Sequence, residues 1–108
     1  MATRILNWYW QGGGMPAFYA ERDYVPNDIR IHSAYPIGAE CQVDIRVDGV
    51  SILTDYARLG ARQTLEELAG SFIATPSIAQ GSMVTCAIVE PGGASALSIQ
   101  LEMTTLDD

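Results

Sequence analysis

Lysine is missing from this chain altogether, and its six basic side chains, all arginines, stand against thirteen carboxylates for a formal charge of −7. No basic patch can form to follow a phosphate backbone or an anionic bilayer, so nucleic acid and membrane surfaces are not expected partners. Histidine occurs once, as His32, and cysteine twice, as Cys41 and Cys86, outside any Cys-x-x-Cys spacing. With one imidazole and no clustered thiols, the ligands of a structural zinc or iron site are lacking. A nucleophile paired with histidine would have to use His32, which the alternation of its strand sets on a solvated face. Long apolar runs are lacking too. No stretch approaches the roughly 20 residues of a membrane span, and Met1-Ala2-Thr3-Arg4-Ile5-Leu6 holds no apolar run of signal-peptide length. The expectation is a protein made in a cytoplasm, with Cys41 and Cys86 as free thiols in preference to a disulfide.

Three partial motifs are excluded on their chemistry. Asp44-Ile45-Arg46-Val47-Asp48-Gly49, with Asp55 at the twelfth position, echoes a calcium loop, but Arg46 occupies a ligand position and would repel a cation. Gly12-Gly13-Gly14 lacks the Lys-Ser/Thr ending of a phosphate loop and reads as a flexible connection. Glu66, Glu67 and Glu90 show no spacing that singles out a glycosidase pair. No catalytic, metal or cofactor residue is therefore expected.

What is present is strand and turn. Val43 to Leu53 spells a β-hairpin around Asp48-Gly49, both of which can take the positive φ that a type I′ turn requires. Counting outward, Val47 faces Val50, Arg46 faces Ser51, Ile45 faces Ile52 and Val43 faces Thr54, with one side apolar and the other polar. Before the hairpin, residues 4–10 alternate with Leu6, Trp8 and Trp10 on one face and Ile5, Asn7 and Tyr9 on the other. A second strand-like run spans Ala17 to Val25. Val25-Pro26-Asn27-Asp28 reads as a turn. A strand from Asp28 to Tyr35 then puts Ile29, Ile31 and Tyr35 opposite Asp28, Arg30 and His32. After the hairpin, residues 61–70 read as either one helical turn or an irregular edge strand, the all-β surroundings favouring the strand. Ser71 to Thr75 is a short apolar run. Val84, Cys86 and Ile88 point inward in the next strand. Leu97, Ile99, Leu101 and Met103 alternate with water-facing Ser98, Gln100 and Glu102.

Seven or eight short strands without a sustained helical period predict an all-β fold, an antiparallel β-sandwich of jelly-roll-like layout. It forms a single domain over 1–108, with an aromatic strand and Gly-rich loop at 1–16 and a fraying acidic tail at 104–108. The hairpin is expected at the centre of one sheet beside the strands that start at Asp28 and Leu97. Trp8, Tyr9, Trp10, Phe18 and Tyr19 form the candidate contact surface. A sugar-stacking or protein-docking role competes there with core packing plus subunit contact, which is preferred, Tyr9 and Tyr19 being the two placed outside the core.

The residues Tyr24-Val25-Pro26-Asn27-Asp28, Ile29-Arg30-Ile31, the Pro36-Ile37-Gly38-Ala39 turn, Val43 to Ile52, Gln80 to Thr85 and Leu97 to Leu101 together resemble small β-sandwich proteins of tailed-bacteriophage virions. Those occur as capsid decoration (cement) proteins and as tail or fibre modules. The chain departs from that pattern at Leu53, Ser82 and Cys86. The resemblance implies a non-enzymatic virion structural protein on the capsid exterior. Its partners would be the major capsid protein and copies of itself, as a homotrimer or other small oligomer. The alternative is a tail or fibre module that binds a receptor or carbohydrate. A cellular adhesion or lectin domain is a third reading.

Overall fold

The computed structural model describes residues 2–68, 73 and 77–105. Among them run nine strands: β1 (Thr3–Trp10), β2 (Phe18–Tyr19), β3 (Tyr24–Ser33), β4 (Cys41–Val47), β5 (Val50–Ser51), β6 (Ala57–Leu59), β7 (Leu65–Leu68), β8 (Met83–Glu90) and β9 (Leu97–Thr105). They form two antiparallel sheets, in the order β1-β9-β3-β7 and β2-β8-β4-β5, with β6 also on β4. The expected antiparallel β-sandwich is what the chain adopts.

Period-two alternation builds the core between the sheets. Leu6 and Trp8 from β1, Ile29 and Ile31 from β3, and Leu97, Ile99, Leu101 and Met103 from β9 are buried, facing Val43, Ile45 and Val84 of the other sheet. Removing each such side chain from water contributes about 1.5–3 kcal/mol before the entropy of ordering is set against it. Trp8 is held twice, its indole N–H donating to the Pro16 carbonyl at 2.9 Å and its ring meeting Phe18 edge-on at 5.4 Å between centroids.

Several expectations are corrected. The hairpin does not share a sheet with the strands at Asp28 and Leu97, because β9 lies between β1 and β3 while β4 pairs with β8 in the opposing sheet. Its turn is as expected, with φ of 51° at Asp48 and 86° at Gly49. Arg46 faces Ser51, Val47 faces Val50, and Ile52 N–H donates to the Ile45 carbonyl at 3.0 Å. Val43, however, faces Ala57 and not Thr54, for the chain leaves the ladder after Ser51, buries Ile52 and Leu53, and rejoins the same edge of β4 as β6.

No turn forms at Val25-Pro26-Asn27-Asp28. β3 runs through it, and because β7 pairs β3 only from Ile29 to His32, Pro26 takes no bond away from the ladder between them. The register slips there, between Pro26 and Asp28. Tyr35 is not on the core face. β3 ends at Ser33, whose hydroxyl donates to the Tyr35 carbonyl at 2.5 Å, and the Tyr35 ring stands 71% exposed.

Of residues 61–70, 61–64 form a turn, 65–68 form the edge strand of the first sheet, and Ala69 and Gly70 lie outside the described residues. So does the 71–75 run except Ile73, which bridges to Leu53. The tail does not fray at 104–105. Thr105 N–H donates to the Ala2 carbonyl at 2.9 Å and its hydroxyl accepts from Ala2 N–H at 3.0 Å, so β9 is paired to its end. Residues 106–108 are outside the description.

Candidate functional site

The sheet β1-β9-β3 turns its second face outward, and the register fixes what stands beside what. Tyr9 lies opposite Ser98, and Ser98 opposite His32. One rung along, Asn7 lies opposite Gln100 and Gln100 opposite Arg30. The next rung carries Ile5, Glu102 and Asp28. Directly opposed side chains on one face sit about 4.5–5.5 Å apart at Cβ, and successive rungs are about 6.7 Å apart along the strands. The face is therefore a grid of two amides, a guanidinium, an imidazole and a hydroxyl, with Tyr9 at one end, Glu102 and Asp28 at the other, and Leu65 and Glu67 of β7 opposite His32 and Arg30. Tyr9 is 58% exposed, whereas the central residues Ser98, Gln100 and Glu102 stand half-buried. Amides and guanidinium groups present donors and acceptors in fixed planes, and a phenol ring presents an apolar face with a polar tip. No enclosed cavity is present among the described residues.

The five aromatics singled out from the sequence do not form one surface. Trp8 is 1% exposed and belongs to the core, Trp10 and Phe18 pack against that core half-buried, and only Tyr9 and Tyr19 stand out, at 58% and 55%. These two are on different sheets: Tyr19, in β2, lies opposite Met83 of β8. This is the division that the preferred reading made, with Tyr9 and Tyr19 outside the core, and its cause is plain. Alternation on β1 sends Trp8 and Trp10 inward with Leu6, and the side between the sheets is closed by Phe18. Ser98, Gln100, Arg30 and His32, the rest of the outer grid, are legible in sequence only as water-facing positions, because nothing local says that β1, β9 and β3 are neighbours.

Other polar groups pair within the chain as well. Arg4 donates to Glu21, which also accepts from the Tyr24 hydroxyl, and the guanidinium lies 5.9 Å from the centre of the Tyr24 ring. The Tyr24 hydrogen bond first, and Arg4 after it, hold the Glu21 carboxyl below its ordinary range. Arg58 bridges Asp55 at 2.8 Å and Glu40 at 3.1 Å on the surface. Asp44 is a buried carboxylate that accepts from the Ser51 hydroxyl at 2.6 Å and from Arg46 Nε at 3.0 Å. Cys41 and Cys86 are free thiols, pushed up by burial to about 11 and about 12, the reverse of an activated nucleophile. No group of three or more His, Cys, Asp or Glu that could hold a metal exists among the described residues.

No protein-family model matches the sequence, and no curated protein matches it. Solved structures do match by fold. A family 35 carbohydrate-binding module from Clostridium thermocellum is similar over 97% of this chain and 99% of its own, at 13% identity and a TM-score of 0.57. The catalytic domain of a GH87 alpha-1,3-glucanase, in complex with nigerose, is similar over 90% of this chain at 15% identity and a TM-score of 0.51. This chain spans 21% of the length of that glucanase domain. These likenesses establish the β-sandwich.

Proposed function

We propose that this protein is a non-catalytic carbohydrate-binding module that takes a saccharide chain along the outer face of β1, β9 and β3. The observation that carries the reading is the grid of Tyr9, Asn7, Ser98, Gln100, Arg30 and His32. Sugars offer hydroxyls at closely spaced positions around an apolar ring face. Planar amides pair with the former, and an exposed tyrosine stacks on the latter. An open face suits a polymer that enters and leaves at both ends better than a small molecule, which binds in concave pockets. The full-length likeness to a carbohydrate-binding module and the likeness to part of a glucanase support this choice. Neither supports a capsid shell, so capsid decoration recedes behind the receptor- or carbohydrate-binding alternative. A tail or fibre module is one setting in which such a domain would serve.

The test is titration calorimetry against a panel of neutral oligosaccharides that includes nigerose, alongside a glycan array. Binding is expected, with Tyr9→Ala and Gln100→Ala each weakening it about tenfold, equivalent to about 1.4 kcal/mol, at unchanged circular dichroism. Tyr19→Ala, on the other sheet, is expected to leave affinity unaltered. Absence of binding to every saccharide, or binding lost through Tyr19 and kept without Tyr9, refutes the site.

A further inference from the structure

We propose that the protein self-associates as a two-fold dimer by pairing β1 with β1 of a second copy. Among the described residues β1 is the edge of its sheet, with β9 as its only partner. In an antiparallel ladder, residues alternate between those whose N–H and C=O bond the partner strand and those whose groups point away. The Thr105 N–H to Ala2 C=O bond assigns the even-numbered residues of β1 to β9. The N–H and C=O of Thr3, Ile5, Asn7 and Tyr9 therefore point out of the sheet. Among the described residues no backbone hydrogen bond outside the sheet reaches them. The side chains of the same four residues are exposed.

Edges of this kind are usually blunted by proline, lysine, a bulge or extreme shortness. β1 has none of these. It is eight residues long, it pairs β9 without a register shift, and its one charge, Arg4, is engaged by Glu21.

Three features select a second copy as the occupant. The first is charge. A protein of net charge −7 repels its own copies, yet β1 and the loop after it carry no carboxylate of their own, and of the acids beside β1 Glu21 is paired with Arg4 while Glu102 lies on the β9 side, away from the free edge. The second is hydrogen-bond phase: odd-numbered residues must meet odd-numbered residues across the new ladder, as a two-fold axis through Asn7 requires. The third is side-chain fit in that register. Asn7 faces Asn7 of the second copy, where two amides can pair, and Ile5 lies beside Tyr9 on both sides of the axis, an apolar pair flanking the ring edge that leaves the outer face of Tyr9 open. The two outer faces would then continue from one copy into the next.

Sedimentation equilibrium of the full chain tests this directly and does not depend on saccharide binding. The expected species has twice the 11.7 kDa chain mass. Ile5→Lys, which sets a charge against Tyr9 of the second copy, should weaken association at least tenfold with the fold intact by circular dichroism. Asn7→Pro removes an N–H that β9 does not use and should do the same. Oxidised Asn7→Cys should cross-link across the axis, where Cα atoms about 5.5 Å apart suit a disulfide. Ile5→Cys, about 14 Å from its own copy in this register, should not. A monomer at every concentration, a trimer, a dimer indifferent to both edge variants, or cross-linking through Ile5→Cys in place of Asn7→Cys overturns the proposal.

Discussion

Gly92 shows how far one hydrogen atom can decide a loop. Its φ is 62°, and a Cβ there would stand 2.5 Å from the Ala39 carbonyl oxygen and 2.6 Å from that of Glu40. Both contacts are backbone, on a segment that is itself tied down by the Ala39 N–H to Gly92 C=O bond at 3.0 Å. Neither side can give way as a flexible side chain would. Gly92→Ala should therefore cost about 2 kcal/mol or more, read as a fall in the denaturant midpoint. Gly38→Ala, two residues from that contact's other wall, meets nothing within 4 Å and should stay within about 0.5 kcal/mol of the parent. None of this could be read from the chain, where Pro91-Gly92-Gly93 and Gly38 look alike as loop glycines. The difference lies in which backbone arrives opposite, and that is settled by the packing of two loops distant in sequence.

The β4–β5 hairpin stands at the other extreme. Asp48-Gly49 declares a type I′ turn because positive φ is cheap for those two residues and costly for most others, and the observed angles of 51° and 86° agree. Gly49→Val should lower stability by at least about 1–2 kcal/mol, whereas Gly49→Asn should cost less, since asparagine tolerates the left-handed region. Thermal melts of the two variants separate the cost of backbone strain from that of any side chain. The turn is also anchored, Asp48 N–H donating to the Met83 carbonyl and Asp48 Oδ1 accepting from Met83 N–H, both at 2.9 Å. Here legibility stops, for the chain departs from β4 after Ser51 and returns as β6. A register counted outward from the turn holds only as long as the strand stays in the ladder. Pro26 misleads in the opposite sense. A proline usually ends a strand, but one beyond the reach of the strand paired on its donor side, as Pro26 is of β7, takes no bond from that ladder.

Across the whole molecule, the two thiols tie stability to alkaline pH. Burial raises Cys41 to about 11, with Glu90 adding to it, and Cys86 to about 12, with Asp44 adding to it. In the unfolded chain both ionise near about 8.5. Above that pH the folded protein holds protons that the unfolded chain has released, so stability is complete below about 8.5 and declines as pH rises toward the folded values. The decline should approach about 1.4 kcal/mol per pH unit for each thiol. Melting temperatures measured from pH 8 to pH 10.5 should accordingly fall more steeply for the parent than for Cys41→Ala/Cys86→Ala. Equal slopes would show that the thiols are not buried as described.

The amino-acid sequence by itself determined the all-β class, the inward faces of β1, β4 and β9, the Asp48-Gly49 turn and the exposure of Tyr9 and Tyr19. Each of these follows from period-two alternation or from the φ a residue can adopt, and both are local. Only the tertiary structure decided that β9 lies between β1 and β3, that the hairpin belongs to the opposite sheet, and that Tyr9, Asn7, Ser98, Gln100, Arg30 and His32 share one face. Alternation says which side of a strand is wet but carries no address for its neighbour. That choice is made by contacts between segments far apart in the chain, once burial of both sheets against each other leaves one pairing that keeps every apolar face dry.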